Sequence, residues 1–203
     1  MEWDGELCVK QIASLEAKPM QTGRLRLRRW RDEDRKPFAR MNDDAEGMEF
    51  FPARLTRAES DALVDRIEAH FAEHGFGLWA AELRGEGTFI GFIGLAVPRF
   101  EAPFTPCVEI GWRLAREHWG KGLATEGARA AMQYAFTEIG LAEVVSFTVP
   151  ANVRSRRVME KLGMTHDARE DFEHPGLPEG HWLRRHVLYR VRRDAWRGRA
   201  WAD

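Results

Sequence analysis

The stretch Glu109-Ile110-Gly111-Trp112-Arg113-Leu114-Ala115-Arg116-Glu117-His118-Trp119-Gly120-Lys121-Gly122-Leu123-Ala124-Thr125-Glu126 constrains this chain most. An alternating, largely apolar run ends at Leu114, two glycines follow, and a helical pattern opens behind them. A helix N-terminus presents unpaired N–H groups and a partial positive charge, so a strand leading through glycines into a helix can hold a phosphate. Glycine lets the backbone approach an anion without a clashing side chain, and Ala124 keeps the following position small. Taken alone, such a turn is more often only a flexible entry to a helix. It is not a dinucleotide G-x-G-x-x-G, because position 125 is Thr. It is not a Walker loop either, because Gly122 follows Lys121 and no glycine stands five residues before that lysine.

The rest of the chain supplies a mixed frame for that turn. At 203 residues and 44% hydrophobic, it has the size and the apolar content for one domain with a sizeable core. Residues 24–28 alternate strictly as a half-buried strand. Asp32 and Asp34 suit the start of a helix reaching about Asn42, and an aromatic loop follows at 49–52. Thr56 and Glu59 form a capping box for a second helix to about His74. Residues 78–83 and 89–96 read as a hairpin, and Pro98, Pro103 and Pro106 mark a loop. The strand at 108–114 leads through the turn to a helix ending near Ile139. Then come a strand at 144–149, a helix at 153–162 stopped by Gly163, and strands at 165–172 and 186–191. The order is β-αα-βββ-α-β-α-ββ, flanked by an N-terminal extension (1–22) and a basic C-terminal tail (193–203).

Composition removes several function classes. A net charge of −1 gives no support for nucleic-acid binding. Cys8 and Cys107 form neither a disulfide framework nor a zinc spacing. The acidic start lacks the positive segment of a secretory signal, and no apolar run approaches the ~18 residues that span a bilayer. A cytoplasmic protein without membrane or nucleic-acid partners is expected. His70 and His74 lack the Glu of an H-E-x-x-H site, so they read as a solvated helix face, and no metal is expected. Phe50, Phe51, Trp79, Phe100 and Phe104 read mostly as core, with the loop members available to line an acceptor pocket. The arginines from Arg184 to Arg199 read as solvated surface.

The turn resembles motif A of the GNAT superfamily, [Q/R]-x-x-G-x-[G/A], with Gly122 and Ala124 in the small positions. Trp119 stands where the general pattern has Gln or Arg. The form Trp-Gly-Lys-Gly-x-Ala is similar to the branch that contains the ribosomal-protein N-terminal acetyltransferases. So are Leu25-Arg26-Leu27-Arg28 before an acidic helix start, and Asn152-x-x-Ser155-x-x-x-Met159-Glu160-Lys161-Leu162-Gly163-Met164. The resemblance covers roughly residues 23–192. It implies a single-domain α/β GNAT fold: a mixed, mostly antiparallel sheet of about seven strands, splayed between the fourth and fifth, with about four helices.

The resemblance also implies acetyl-CoA as cosubstrate and a primary amine as acceptor. A protein N-terminus comes first by family resemblance, and a small-molecule amine close behind. The N–H groups from Trp119 and Gly120 through Lys121, Gly122, Leu123, Ala124 and Thr125 would cradle the CoA pyrophosphate. Backbone groups around Trp112, Arg113 and Leu114 would bind the pantetheine arm, and Asn152 would bond to it as well. Ser155 would lie near the thioester sulfur.

An amine attacking a thioester must lose a proton, and Glu109 is the candidate base. A carboxylate in a central strand is costly unless paired or functional, so pairing with Arg113 is the competing explanation. For Asn152 the competitor is helix capping. Met159 stands where many relatives carry a general-acid Tyr, leaving Ser155 or water to protonate the thiolate. Direct attack in a ternary complex is expected, because neither cysteine sits in a nucleophile constellation. A non-catalytic acyl-CoA-binding protein is the alternative. A homodimer is compatible with the sequence without being specified by it.

Overall fold

The computed structural model describes residues 17–197. Cys8 and most of the N-terminal extension, together with residues 198–203, lie outside the described residues. The described residues form two compact units, one comprising those up to Ala96 with Gly111–Ala131 and the other Val97–Ile110 with those from Met132 onward. The chain passes between them three times, after Ala96, inside the strand Glu109–Leu114 and inside the helix Leu123–Thr137.

The first unit holds β1 (Met20–Gln21), β2 (Leu25–Arg28), α1 (Asp32–Asp43), α2 (Arg57–His74), β3 (Leu78–Leu83), β4 (Phe89–Ala96) and the end of β5 (Glu109–Leu114). These strands lie side by side in that order. In β2 the alternation puts Leu25 and Leu27 entirely inside. Arg28 is buried too, and it can be so because Asp34 and Glu82 pair with its guanidinium at 2.7 Å each. The Asp34 carboxylate also accepts from the Arg31 backbone N–H (2.8 Å) and so fixes the start of α1. The capping box of α2 forms as the sequence predicts: Glu59 N–H donates to Thr56, and the Glu59 carboxylate accepts from Thr56 N–H. Gly75 ends α2 in the left-handed conformation (φ 70°).

His70 and His74 are not a solvated face. His70 is buried, its Nδ1 lies 2.9 Å from the Phe76 carbonyl, and the two imidazoles lie tilted against each other with centroids 4.3 Å apart. Phe76 follows the Gly75 turn, so the chain folds back and covers the last turn of α2. A helical period alone does not register that contact.

The second unit holds the start of β5, the end of α3 (Leu123–Thr137), β6 (Glu143–Thr148), α4 (Val153–Lys161), β7 (Thr165–His166), β8 (Phe172–Glu173), β9 (Arg185–Arg192) and α5 (Arg193–Arg197). β9 pairs antiparallel with β6 along its length and also takes β7 and β8. β5 and β6 run parallel and register at one position, Glu109 with Val145, as expected where the fourth and fifth predicted strands splay. The expected strand at 165–172 is instead two short strands around a 3-10 turn at Ala168–Glu170, which Asp167 caps by accepting from Arg169 N–H. With β1, that raises the described strands from about seven to nine. α5 is a fifth described helix, anchored by the buried Trp196 against Phe136. No described helix is long and apolar enough to cross a membrane.

Candidate active site

The glycine turn in the first unit is built by its backbone. Gly120 and Gly122 both have positive φ (72° and 78°), a conformation side-chain-bearing residues rarely adopt. The first intrahelical bond of α3 runs from Glu126 N–H to the Gly122 carbonyl (3.0 Å). The N–H groups of Leu123, Ala124 and Thr125 precede it and have no carbonyl one turn back to receive them. Gly120, Lys121 and Gly122 are exposed, while Leu123 is buried and anchors the helix.

A brace that sequence reasoning did not find holds this turn in place. The Glu126 carboxylate accepts from Thr22 Oγ1 (2.6 Å), Arg24 N–H (2.8 Å) and Arg24 Nε (2.6 Å). Arg24 also donates to the Lys121 carbonyl at 2.9 Å. Burial acts to raise the Glu126 pKa, but the hydrogen bonds from Thr22 and Arg24 together with the Arg24 charge prevail and hold it below the ordinary carboxylate value. Glu126 is therefore ionised at neutral pH. Arg24 and Glu126 are far apart along the chain, and no local pattern links them. Behind them α3 lies close on β4: a Cβ at Gly127 would come within 2.4 Å of Ile93 Cδ1.

Trp119, the departure from the family motif, has a definite task. Its indole N–H donates to the Leu114 carbonyl (2.7 Å) and ties the turn to the end of β5. Arg113 is buried, and burial lowers its pKa to about 10. Its guanidinium lies over Phe38, Phe51 and Phe92 (5.2, 4.7 and 5.1 Å) and donates to Met48 Sδ. Aromatic faces therefore compensate a charge that would otherwise be costly to bury. A cavity of about 520 Å³ borders the end of β5, with Met41, Phe89, Leu114, Arg116 and His118 among its lining residues.

Glu109 sits at the start of β5 in the second unit. Desolvation is the sole cause that shifts its pKa, from 4.5 to about 8. Among the described residues no hydrogen bond or opposing charge offsets it, so Glu109 is not half of an ion pair with any of them. Its surface is nevertheless only partly covered, so a carboxyl with this history remains reachable. Such a group is mainly neutral at pH 7 and gains basicity as pH approaches 8.

Asn152 is the N-cap of α4. Its Oδ1 accepts from Ser155 N–H and its Nδ2 donates to Thr148 Oγ1, both at 3.1 Å. Capping thus accounts for Asn152 structurally and leaves one amide hydrogen to spare. Ser155 is partly exposed. Met159, where the family resemblance led one to look for a Tyr, is fully buried. Cys107 is pushed up to about 12 by burial first and then by the Glu109 charge, so its thiol stays protonated and is a poor nucleophile. Among the described residues no group of three or more His, Cys, Asp and Glu side chains is arranged to hold a metal ion.

Residues 24–165 match the family described as acetyltransferase (GNAT) domain. FsC-acetyl coenzyme A-N(2)-transacetylase of Aspergillus fumigatus is 41% identical over 130 residues, which is 60% of this chain and 52% of that enzyme. The chain thus spans about half the length of that relative. The Bacillus subtilis protein YkkB is 33% identical over 70% of this chain and 83% of its own. An acetyltransferase structure from Agrobacterium tumefaciens superposes with a TM-score of 0.69 at 26% identity, covering 86% of this chain and 94% of the other. With one family matching most of its length and a braced glycine turn where that family's strand meets its helix, this chain belongs to the GNAT family of acetyl-CoA-dependent acetyltransferases.

Proposed function

We propose that this protein transfers the acetyl group of acetyl-CoA to a primary amine by direct attack, with Glu109 as the base. The observation that carries the proposal is the Glu109 carboxyl, which pairs with no cation among the described residues and is shifted by desolvation to about 8. The amine lone pair forms a bond to the thioester carbon and the C–S bond breaks. The CoA thiolate leaves, and the proton shed by the nitrogen passes to Glu109. The fungal relative is named for acetyl transfer to N(2), which supports nitrogen as the acceptor atom. The high Cys107 pKa speaks against a covalent acetyl-enzyme at that residue.

The residues present suit the cosubstrate. N–H groups from Gly120 to Thr125, preorganised by the Arg24–Glu126 brace, would receive the CoA diphosphate as helix N-termini do. Trp119 would contribute by fixing the turn. Trp112, Arg113 and Leu114 would offer backbone groups to the pantetheine, the Leu114 carbonyl being partly engaged by Trp119 already. The remaining Asn152 amide hydrogen would serve pantetheine, and the Ser155 hydroxyl would protonate the departing thiolate. The test is release of CoA thiol from acetyl-CoA by the purified protein against a panel of primary amines. Amine-dependent release with formation of the N-acetyl product is expected. CoA binding without release by any amine would leave a binding protein instead.

A further inference from the structure

The second unit carries a cluster of six rings that the transfer chemistry leaves unexplained. Phe100 and Phe104 come from the loop before β5, Phe147 from β6, Phe172 from β8, His174 from just after it, and His186 from β9. Their centroids stand 4.7 Å apart for Phe104 and Phe172, 5.5 Å for Phe147 and Phe172, 4.6 Å for Phe100 and His174, and 5.1 Å for His174 and His186. Each ring is half-buried, so the cluster presents ring surface to solvent.

The cluster carries no charge at neutral pH. Burial lowers the pKa of both imidazoles, and His174 Nδ1 accepts from the Gly176 N–H (3.1 Å), as a neutral ring does.

The pleat places the rings beside the proposed base. Glu109 registers with Val145, so both side chains leave the same face, and Phe147 follows Val145 on that face about 7 Å along the strand. Phe147 registers with Leu188, and His186 registers with Phe172, which continues the same face across β9 to β8. The other ionisable groups there engage one another: Arg190 pairs with Glu143 (2.6 Å) and with Glu170 (2.8 Å). Glu109 is the carboxyl on this face that pairs with no cation among the described residues. A ligand complementary to this face carries a group that can pass a proton to Glu109 next to a flat, uncharged body.

We infer that the ring cluster seats the acyl acceptor, and that the acceptor is an arylalkylamine, a primary amine on an uncharged aromatic body. The inference rests on the reading of Glu109 as the base. Offset or edge-to-face packing of the acceptor ring against Phe104, Phe147 and Phe172 holds the body, and the amine nitrogen lies where Glu109 takes the proton that it sheds on attack.

Steady-state kinetics on the full chain with acetyl-CoA test this, using 2-phenylethylamine, hexylamine, a linear diamine and a peptide with a free N-terminus. The preference for 2-phenylethylamine over hexylamine in kcat/KM should be at least about tenfold, the product of a few ring contacts. Phe104→Leu and Phe172→Leu should each raise KM for 2-phenylethylamine roughly 3- to 10-fold with KM for acetyl-CoA unchanged. Phe172→Tyr, which keeps the ring, should retain the preference. CoA binding stoichiometry gives the folded fraction of each variant. Equal or better turnover of the diamine, the peptide or hexylamine overturns the acceptor assignment while the transferase reading stands. No transfer to any amine overturns both. Leucine variants that slow every amine alike also defeat the proposal.

Discussion

Glu109→Gln should stabilise the protein at alkaline pH, the reverse of what the loss of a paired carboxylate does. The folded-state pKa of Glu109 is raised from 4.5 to about 8 by desolvation. The native state therefore holds this proton more tightly than the unfolded chain does. Below about pH 4.5 the carboxyl is neutral in both states and costs nothing. Between about 4.5 and 8 the unfolded chain releases the proton first, so native stability falls as pH rises. Above about 8 the cost is complete. At about 1.4 kcal/mol per pH unit, the ceiling is about 5 kcal/mol. Glu109 keeps some contact with solvent, and local relaxation recovers part of this, so a measured value of about 2–4 kcal/mol is expected. Gln preserves the shape and cannot ionise. Urea unfolding of wild type and Glu109→Gln at pH 5 and pH 9 reads the effect directly. The two proteins should nearly coincide at pH 5, and the variant should be the more stable at pH 9. A gap that does not change with pH, or a variant less stable at pH 9, would refute the desolvated-carboxyl account.

Catalysis by the same variant should move the other way: turnover should fall about 10²–10⁴-fold, with loss of the rate limb that rises toward pH 8 in wild type. A pH–rate series corrected for folded fraction checks this, and turnover within about threefold of wild type would remove Glu109 as base. Asn152→Ala deletes the α4 cap and should cost about 1 kcal/mol in thermal unfolding; a rise in KM for acetyl-CoA is expected in addition if its remaining amide hydrogen serves pantetheine. Ser155→Ala should lower kcat with little change in melting temperature. Glu126→Ala removes the acceptor of Thr22 and Arg24 and should weaken CoA binding measured by calorimetry, although Glu126 itself lies beyond the cradle.

The spans that repeat a local period were legible in the sequence. β3, β4 and the box at Thr56 and Glu59 form where alternation and capping chemistry place them, because each depends on residues a few positions apart. The glycine turn was legible for the same reason. What the sequence withheld depends on distant partners. The Arg24–Glu126 brace joins residues from opposite ends of the first unit. The aromatic surroundings of Arg113 gather Phe38, Phe51 and Phe92 from three segments, so pairing with Glu109 looked plausible where the structure supplies rings. His70 and His74 were misread because the residue that covers them, Phe76, follows a chain reversal. Glu109 became a candidate from its place in the strand pattern, but that no described residue pairs with it is a tertiary fact.

The central claim is that the turn after β5 holds CoA, and calorimetric titration of CoA into wild type and Gly122→Val tests it most directly. A Cβ at Gly122 would meet only Arg24 Nη2, at 3.6 Å, but the positive φ there disfavours a branched side chain and the exposed backbone would be shielded by it. Circular dichroism first establishes that the variant is folded. The account predicts that wild type binds CoA and that the folded variant binds at least about tenfold more weakly, a loss of at least about 1.4 kcal/mol. Unchanged affinity in a folded Gly122→Val protein would contradict it.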